Sequence, residues 1–163
     1  MLFLKRVNNA YHEPDSVEAV INYILRNNGN NGAYTGGVNI LDLGNAAEEF
    51  SFIKRLFKKR TGVQIKHFIA SFDTKDLFVG PQAVEFAYRV CAYYASRFQI
   101  VFSVHTNTKF MHVHFVVNSV SFVDGAKLHE NKAELLNFER YCRSVYEQTR
   151  HDYDWAKEKL RTF

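Results

Sequence analysis

From Met111 to Asn118 the chain alternates, with histidine at 112 and 114. A strand turns successive side chains to opposite faces. His112, His114, Val116 and Asn118 therefore share one face, and Met111, Val113, Phe115 and Val117 share the other. The second set is an unbroken apolar stripe, suited to packing under a layer of helices. One run thus dictates a sheet with a packed face and, opposite it, two imidazoles side by side. A second apolar run, Gln99 to His105, ends six residues earlier on another histidine. That separation suits a hairpin, so the two runs are expected to pair antiparallel. His105 would then lie beside His112 and His114. Three imidazoles on one side make a facial metal site with open positions for water or substrate. His12, His129 and His151 form no such group and are read as surface residues. His67 shares strand parity with Ile69 and Ser71 and is expected to be structural.

The other elements follow from periodicity. Strands are predicted over about 1–8, 35–41 and 64–73, in addition to 99–105 and 111–119. Helices are predicted over about 15–28, 46–61, 81–98 and 132–150, with Pro14 and Pro81 in the first turns of the first and third. Asp15/Glu18, Asn45/Glu48 and Asn131/Glu134 stand at capping-box spacing. The buried stripe of the fourth helix is Leu135, Phe138, Cys142 and Val145. Residues 28–32, Asn-Gly-Asn-Asn-Gly, read as a flexible loop. The expected class is α+β: a central antiparallel sheet with helices packed on one face. The 163 residues, 47% hydrophobic and 23% charged, fit one domain. It is expected over 1–150, with 151–163 a tail or short extra helix. The two cysteines, Cys91 and Cys142, are too far apart in sequence for a metal cluster or disulfide scaffold. No apolar run is long enough to span a membrane and the start is not a signal peptide. A cytoplasmic protein with no membrane partner is expected.

The formal net charge is +4, which permits a polyanionic partner. Lys54, Arg55, Lys58, Lys59, Arg60 and Lys66 occur with no acidic residue between 50 and 72. Most are expected on the exposed side of the second helix. That pattern fits a solvated face as well as a phosphate-binding one. Lys109 beside the histidines and Lys127 after Gly125 are further candidates for phosphate contact. On the first helix Val17, Val20, Ile21, Ile24 and Leu25 cluster in one arc, and Tyr23 falls about a third of a turn outside it.

These residues together resemble the relaxase/mobilisation-nuclease family, the HUH endonucleases of the MobP-like conjugative kind. His105, His112, His114 and Asn118 match its histidine signature, and Asn118 to Lys127 matches nearly all of the motif that follows. Ala19 to Leu25 (AVINYIL) is similar to the first motif, where Tyr23 takes the nucleophile's place. Lys66 to Phe72 (KHFIASF) is similar to the second, where Ser71 takes the place of a DNA-holding serine. The motifs stand in family order across residues 16–145. Asn107 stands where the family carries an acidic residue, and Tyr34 is the second choice of nucleophile.

The resemblance implies the HUH fold and one divalent ion, Mn or Mg, on His105, His112 and His114. It implies site-specific nicking and strand transfer at an origin of transfer through a 5′-phosphotyrosine. It implies single-stranded or melted origin DNA, relaxosome accessory proteins and a coupling protein as partners, in the bacterial cytoplasm, on a plasmid or integrative conjugative element. DNA contacts are expected from Ser71, Asn118, Lys54, Arg55, Lys58, Lys59, Lys109 and Lys127. Two other readings stay open: a non-catalytic origin-binding module, and a rolling-circle replication initiator.

Overall fold

The computed structural model describes residues 1–7, 11–76 and 78–161. The last residue of the expected first strand and the last two of the expected tail lie outside them. Five strands form one sheet: β1 (Leu2–Arg6), β2 (Thr35–Val38), β3 (Ile65–Phe72), β4 (Ile100–His105) and β5 (His112–Asn118). Four helices accompany them: α1 (Asp15–Arg26), α2 (Ala46–Leu56), α3 (Gly80–Cys91) and α4 (Lys132–Arg161). The order across the sheet is β1-β3-β5-β4-β2, and each neighbouring pair is antiparallel. β5, the alternating strand, is the centre of the sheet, and β4 is its hairpin partner with His105 directly opposite His112.

The apolar stripe packs as its parity requires. Val113, Phe115 and Val117 join Phe68 and Phe72 of β3 and Phe102 and Val104 of β4 under Phe86 and Val90 of α3 and Phe138 and Tyr146 of α4. Phe115 is fully buried and its ring stacks on Phe68 at 4.8 Å. Removing such a ring costs about 3–5 kcal/mol.

Helices cover both faces rather than one, which corrects the expectation. Val17, Ile21 and Ile24 of α1, with Ala46 and Phe50 of α2, pack on Ile65, Val101 and Val116. The reason lies in β4 and β5. Val101 and Val116 are apolar at the histidine parity, so one end of that face also needs cover. α1 and α2 supply it there, and the histidine end stays accessible.

Several boundaries differ from the sequence reading. α1 ends at Arg26, α2 at Leu56 and α3 at Cys91, each short of its predicted end. Asp15/Glu18 and Asn45/Glu48 form no capping box: the N-cap residues are Pro14 and Asn45, and neither gives a side-chain cap. Glu48 instead pairs with Arg55. Asn131/Glu134 does form one, with reciprocal bonds of 2.8 and 2.9 Å. Residues 151–161 are the last turns of α4, not a separate short helix or tail. α4 buries Phe138, Cys142, Tyr146 and Thr149, so Tyr146 rather than Val145 continues the buried stripe after Cys142. Among the described residues no helix is long and apolar enough to cross a membrane.

Candidate active site

The β4–β5 register brings His105, His112 and His114 together. One ring nitrogen of each lies within 4.8 Å of the others. His105 and His114 are buried and His112 is partly exposed at the rim. Each ring is anchored through its second nitrogen. His105 Nε2 donates to the Ile24 carbonyl at 2.8 Å, which leaves Nδ1 as its lone-pair atom. His112 Nδ1 donates to the Phe110 carbonyl at 2.9 Å, which leaves Nε2. His114 Nδ1 shares a 2.8 Å hydrogen bond with His67 Nε2. An anchored imidazole with one free nitrogen is the usual form of a metal-ligating histidine. The donor set therefore fits a divalent cation.

Electrostatics favour the neutral, ligating form. Burial drives the His114 pKa far down, and the neighbouring His105, His67 and His112 push it further. His105 is also lowered, by burial first, against the opposing hydrogen bond to Ile24. His67 falls to about 4, again by burial and then by His105. Ligating nitrogens must be unprotonated, and burial favours that form at His105 and His114. The C-terminal end of α1 also meets this cluster, and the negative end of a helix dipole favours a cation.

Tyr23 stands at the edge of the cluster. Its ring is 6.2 Å from His105 and 6.0 Å from His114, centre to centre, and it is 52% exposed. Its off-arc position on α1 is what turns it from the core toward the histidines. The next residue, Ile24, carries the carbonyl that holds His105, so α1 and the first ligand are linked directly. Tyr34, the second choice of nucleophile, packs instead against the core of the opposite face. Its ring fills the space that a side chain at Gly80 would need.

The Asn/Gly loop after α1 is tied down, contrary to the expectation of flexibility. Asn28 is fully buried and its side chain donates to the Leu25 carbonyl at 2.8 Å. Its Oδ1 accepts from the amides of Asn30 and Gly32. Asn30 Nδ2 donates to the Val104 carbonyl at 2.7 Å. Asn107 Nδ2 donates to the Asn27 carbonyl at 3.0 Å, at the end of α1. Gly29 lies against it at a φ of 74°, and an added Cβ would come within 2.6 Å of the Asn107 Cβ. These amides fix the end of the Tyr23 helix to the end of the His105 strand. A carboxylate at 107 cannot donate and would face the negative end of α1. Asn107→Asp is therefore expected to lower stability by roughly 1 kcal/mol in urea denaturation at pH 7.

The proposed DNA contacts divide. Ser71 is on the histidine face, directly across the β3–β5 ladder from His112. Lys109 is exposed at the hairpin tip, its ammonium 5.4 Å from the Phe110 ring. Arg55, Lys58 and Lys59 are exposed but belong to the other end of the sheet, roughly 20 Å along β5 from His112 at the rise of a strand.

Three of the expected contacts are engaged inside the protein. Asn118 is fully buried; its Nδ2 donates to the Phe50 carbonyl and to Gln99 Oε1. Lys54 is 3% exposed and its ammonium donates to Asn118 Oδ1. The two join α2 to β5. Lys127 donates to the Val63 carbonyl at 2.9 Å and to Ser119 Oγ, holding the turn after β5. That turn bends at Gly125, where φ is 70° and the Phe57 ring leaves no room for a Cβ.

Burial lowers the Lys54 pKa to about 7, with Lys127 adding repulsion. Between that value and the ordinary lysine range near 10.5 the unfolded chain holds a proton that the folded chain lacks. Stability contributed through this group thus rises with pH across that window and falls as pH drops to 7. Lys54→Met is expected to be more stable than the parent at pH 7, on the order of 1–3 kcal/mol, with the gap closing towards pH 10. Paired urea titrations at the two pH values check this. The Val120 amide still donates to Asn118 Oδ1 in the variant.

Two residues escaped the sequence reading. Tyr11, whose hydroxyl lies 3.1 Å from His67 Nδ1, had no local signal at all. His67, read as structural, touches His114 directly, and its shared parity with Ser71 was the available sign.

Comparison with known proteins agrees with this geometry. No curated protein matches the chain. A solved structure described as the molecular basis of vancomycin resistance transfer in Staphylococcus aureus is similar in fold, with a TM-score of 0.65 at 10% identity over 94% of both chains. The family model for the MobA/VirD2-like relaxase nuclease domain matches residues 23–150. That match begins at Tyr23 and runs through all three clustered histidines into α4, and the chain belongs to this relaxase nuclease family.

Proposed function

We propose that the chain nicks one strand of DNA at an origin of transfer and keeps the new 5′ end on Tyr23. The observation that carries this reading is the approach of the Tyr23 ring to within about 6 Å of two of the three converging histidines. His105 through Nδ1, and His112 and His114 through Nε2, would hold one divalent ion, Mn or Mg. When bound, that ion acts as a Lewis acid on an oxygen of the scissile phosphate.

The residues of the chain do the rest. The Tyr23 phenol oxygen attacks phosphorus and loses its proton to solvent. The 3′ oxygen of the upstream nucleotide leaves and takes up a proton. The products are a 5′-phosphotyrosine and a free 3′ hydroxyl. One phosphodiester replaces another, so the step is reversible and the strand can be rejoined. Ser71 and Lys109 hold the phosphates next to the cleaved one, and Arg55, Lys58 and Lys59 meet flanking DNA. A strand that is single-stranded or melted at the nick lets the scissile phosphate reach both Tyr23 and the buried histidines. In the bacterial cytoplasm, accessory proteins that melt the origin and a coupling protein that exports the strand complete the system, carried by a plasmid or an integrative conjugative element.

The test is incubation with single-stranded oligonucleotides spanning the origin of its own element, with Mn or Mg. A covalent adduct on a denaturing gel, mapped to Tyr23 by peptide mass spectrometry, is the expected result. Binding with no adduct would refute nicking and favour the non-catalytic module. An adduct on another residue would refute the assignment of Tyr23.

A further inference from the structure

The ligand His114 is held by a second histidine and a tyrosine rather than by an acid. His114 Nδ1 is 2.8 Å from His67 Nε2, and His67 Nδ1 is 3.1 Å from the Tyr11 hydroxyl. His67 and His114 are 6% and 4% exposed. No carboxylate takes part in the described hydrogen bonds of the three ligands. We infer that Tyr11 and His67 are positioning residues that select the metal-binding tautomer of His114; this rests on the metal site proposed above.

The argument is a count of protons. A neutral imidazole carries one N–H, so the chain of three groups has two arrangements. In the first, His114 Nδ1 donates to His67 Nε2, and His67 Nδ1 donates to the Tyr11 oxygen. The Nε2 lone pair of His114 then faces the free nitrogens of His105 and His112. In the second, Tyr11 donates to His67 Nδ1, and His67 Nε2 donates to His114 Nδ1. The proton of His114 then sits on Nε2, in the space a cation must occupy. Only the first arrangement binds metal.

Tyr11 makes the first arrangement affordable in a buried site. Without its oxygen the first arrangement leaves the His67 Nδ1–H a buried donor with no acceptor, and the second leaves the Nδ1 lone pair with no donor; an orphaned buried N–H is the costlier of the two. The second arrangement would then prevail. His67 supplies the acceptor that keeps the proton on His114 Nδ1. A neutral support also leaves the positive charge of the cation undiminished, which suits a site whose substrate is a phosphate anion.

The experiment measures Mn2+ affinity of the full chain by the loss of free-ion EPR signal, without DNA. His67→Phe is expected to weaken binding by about 10–100-fold, the usual effect of losing an outer partner of a metal histidine. Tyr11→Phe weakens it several-fold, and His67→Gln, whose Oε1 can accept from His114 Nδ1, restores most of it. Long-range 1H–15N spectra of the metal-free chain report the tautomer. His114 is expected to be protonated at Nδ1 in the parent and in His67→Gln, and to shift to Nε2 in Tyr11→Phe.

Parent-like affinity and tautomer in Tyr11→Phe would overturn the inference, and that variant decides the matter if His67→Phe fails to fold. Binding as weak in His67→Gln as in His67→Phe would assign His67 to packing instead. A parent that binds no Mn2+ would sink the metal site itself, and the inference with it.

Discussion

Tyr23→Phe should leave DNA binding and metal binding intact while removing the covalent adduct. The substitution deletes one oxygen from a side chain that is 52% exposed and lies outside both apolar clusters of the described residues. Stability should therefore stay within about 0.5 kcal/mol of the parent. Cleavage of an origin oligonucleotide should fall by at least about 10³-fold, as it does when a covalent nucleophile is removed from its site. Affinity for the same oligonucleotide by fluorescence anisotropy should change less than about twofold. Residual cleavage close to the parental rate would mean that water or another residue attacks. Tyr34 is a poor substitute, since its ring is packed against α3.

The second large effect is expected from His114→Ala. His114 sits between His105 and His112, with ring centres 4.3 and 5.0 Å away. It also closes the chain of contacts to His67. Removing it takes away one of three ligands and leaves two, one of them partly exposed at the rim. Mn2+ affinity should fall by well over about 100-fold, beyond the effect of an outer partner. Adduct formation should be lost with it, and excess metal should restore little. Tyr23→Phe and His114→Ala should differ in one readout: the first keeps metal binding and the second does not. Unchanged Mn2+ binding in His114→Ala would show that the metal lies elsewhere.

The hairpin and its histidines were legible because the signal is local and strongly periodic. A repeat of two leaves a single way to turn His112 and His114, and the apolar stripe opposite decides which face is packed. The place of Tyr23 outside the apolar arc of α1 was legible from the same kind of periodicity, but its proposed role came only from the resemblance of residues 19–25 to a family motif.

What failed was judged by residue type instead of position. Lys54 lies four residues after the buried Phe50, one turn of helix further along the same face. Its charge suggested solvent, but its position put it under α2 on Asn118. The second layer of helices failed because Val116 was placed on the histidine face without being counted as apolar surface that needs cover, and Val101 was given no face. The Tyr11–His67 contact joins residues 56 apart in sequence, and no spacing rule reaches that far. The Asn-rich loop was misjudged because Asn was read as a mark of flexibility. In the fold its amides are the bonds that hold the loop.

The strand order carries a consequence for how the chain comes into being. Only β4 and β5 are neighbours both in the sheet and in sequence; β1–β3, β2–β4 and β3–β5 each join distant segments. Long-range pairings form late, because large loops must close before they are rewarded. The one quickly made pair is the hairpin that holds all three histidines. Tyr23 arrives only when α1 docks across it and Ile24 meets His105. A chain still emerging from the ribosome therefore carries its phenol long before it carries a ligand. The proposed nicking site is complete only in the last stages of folding.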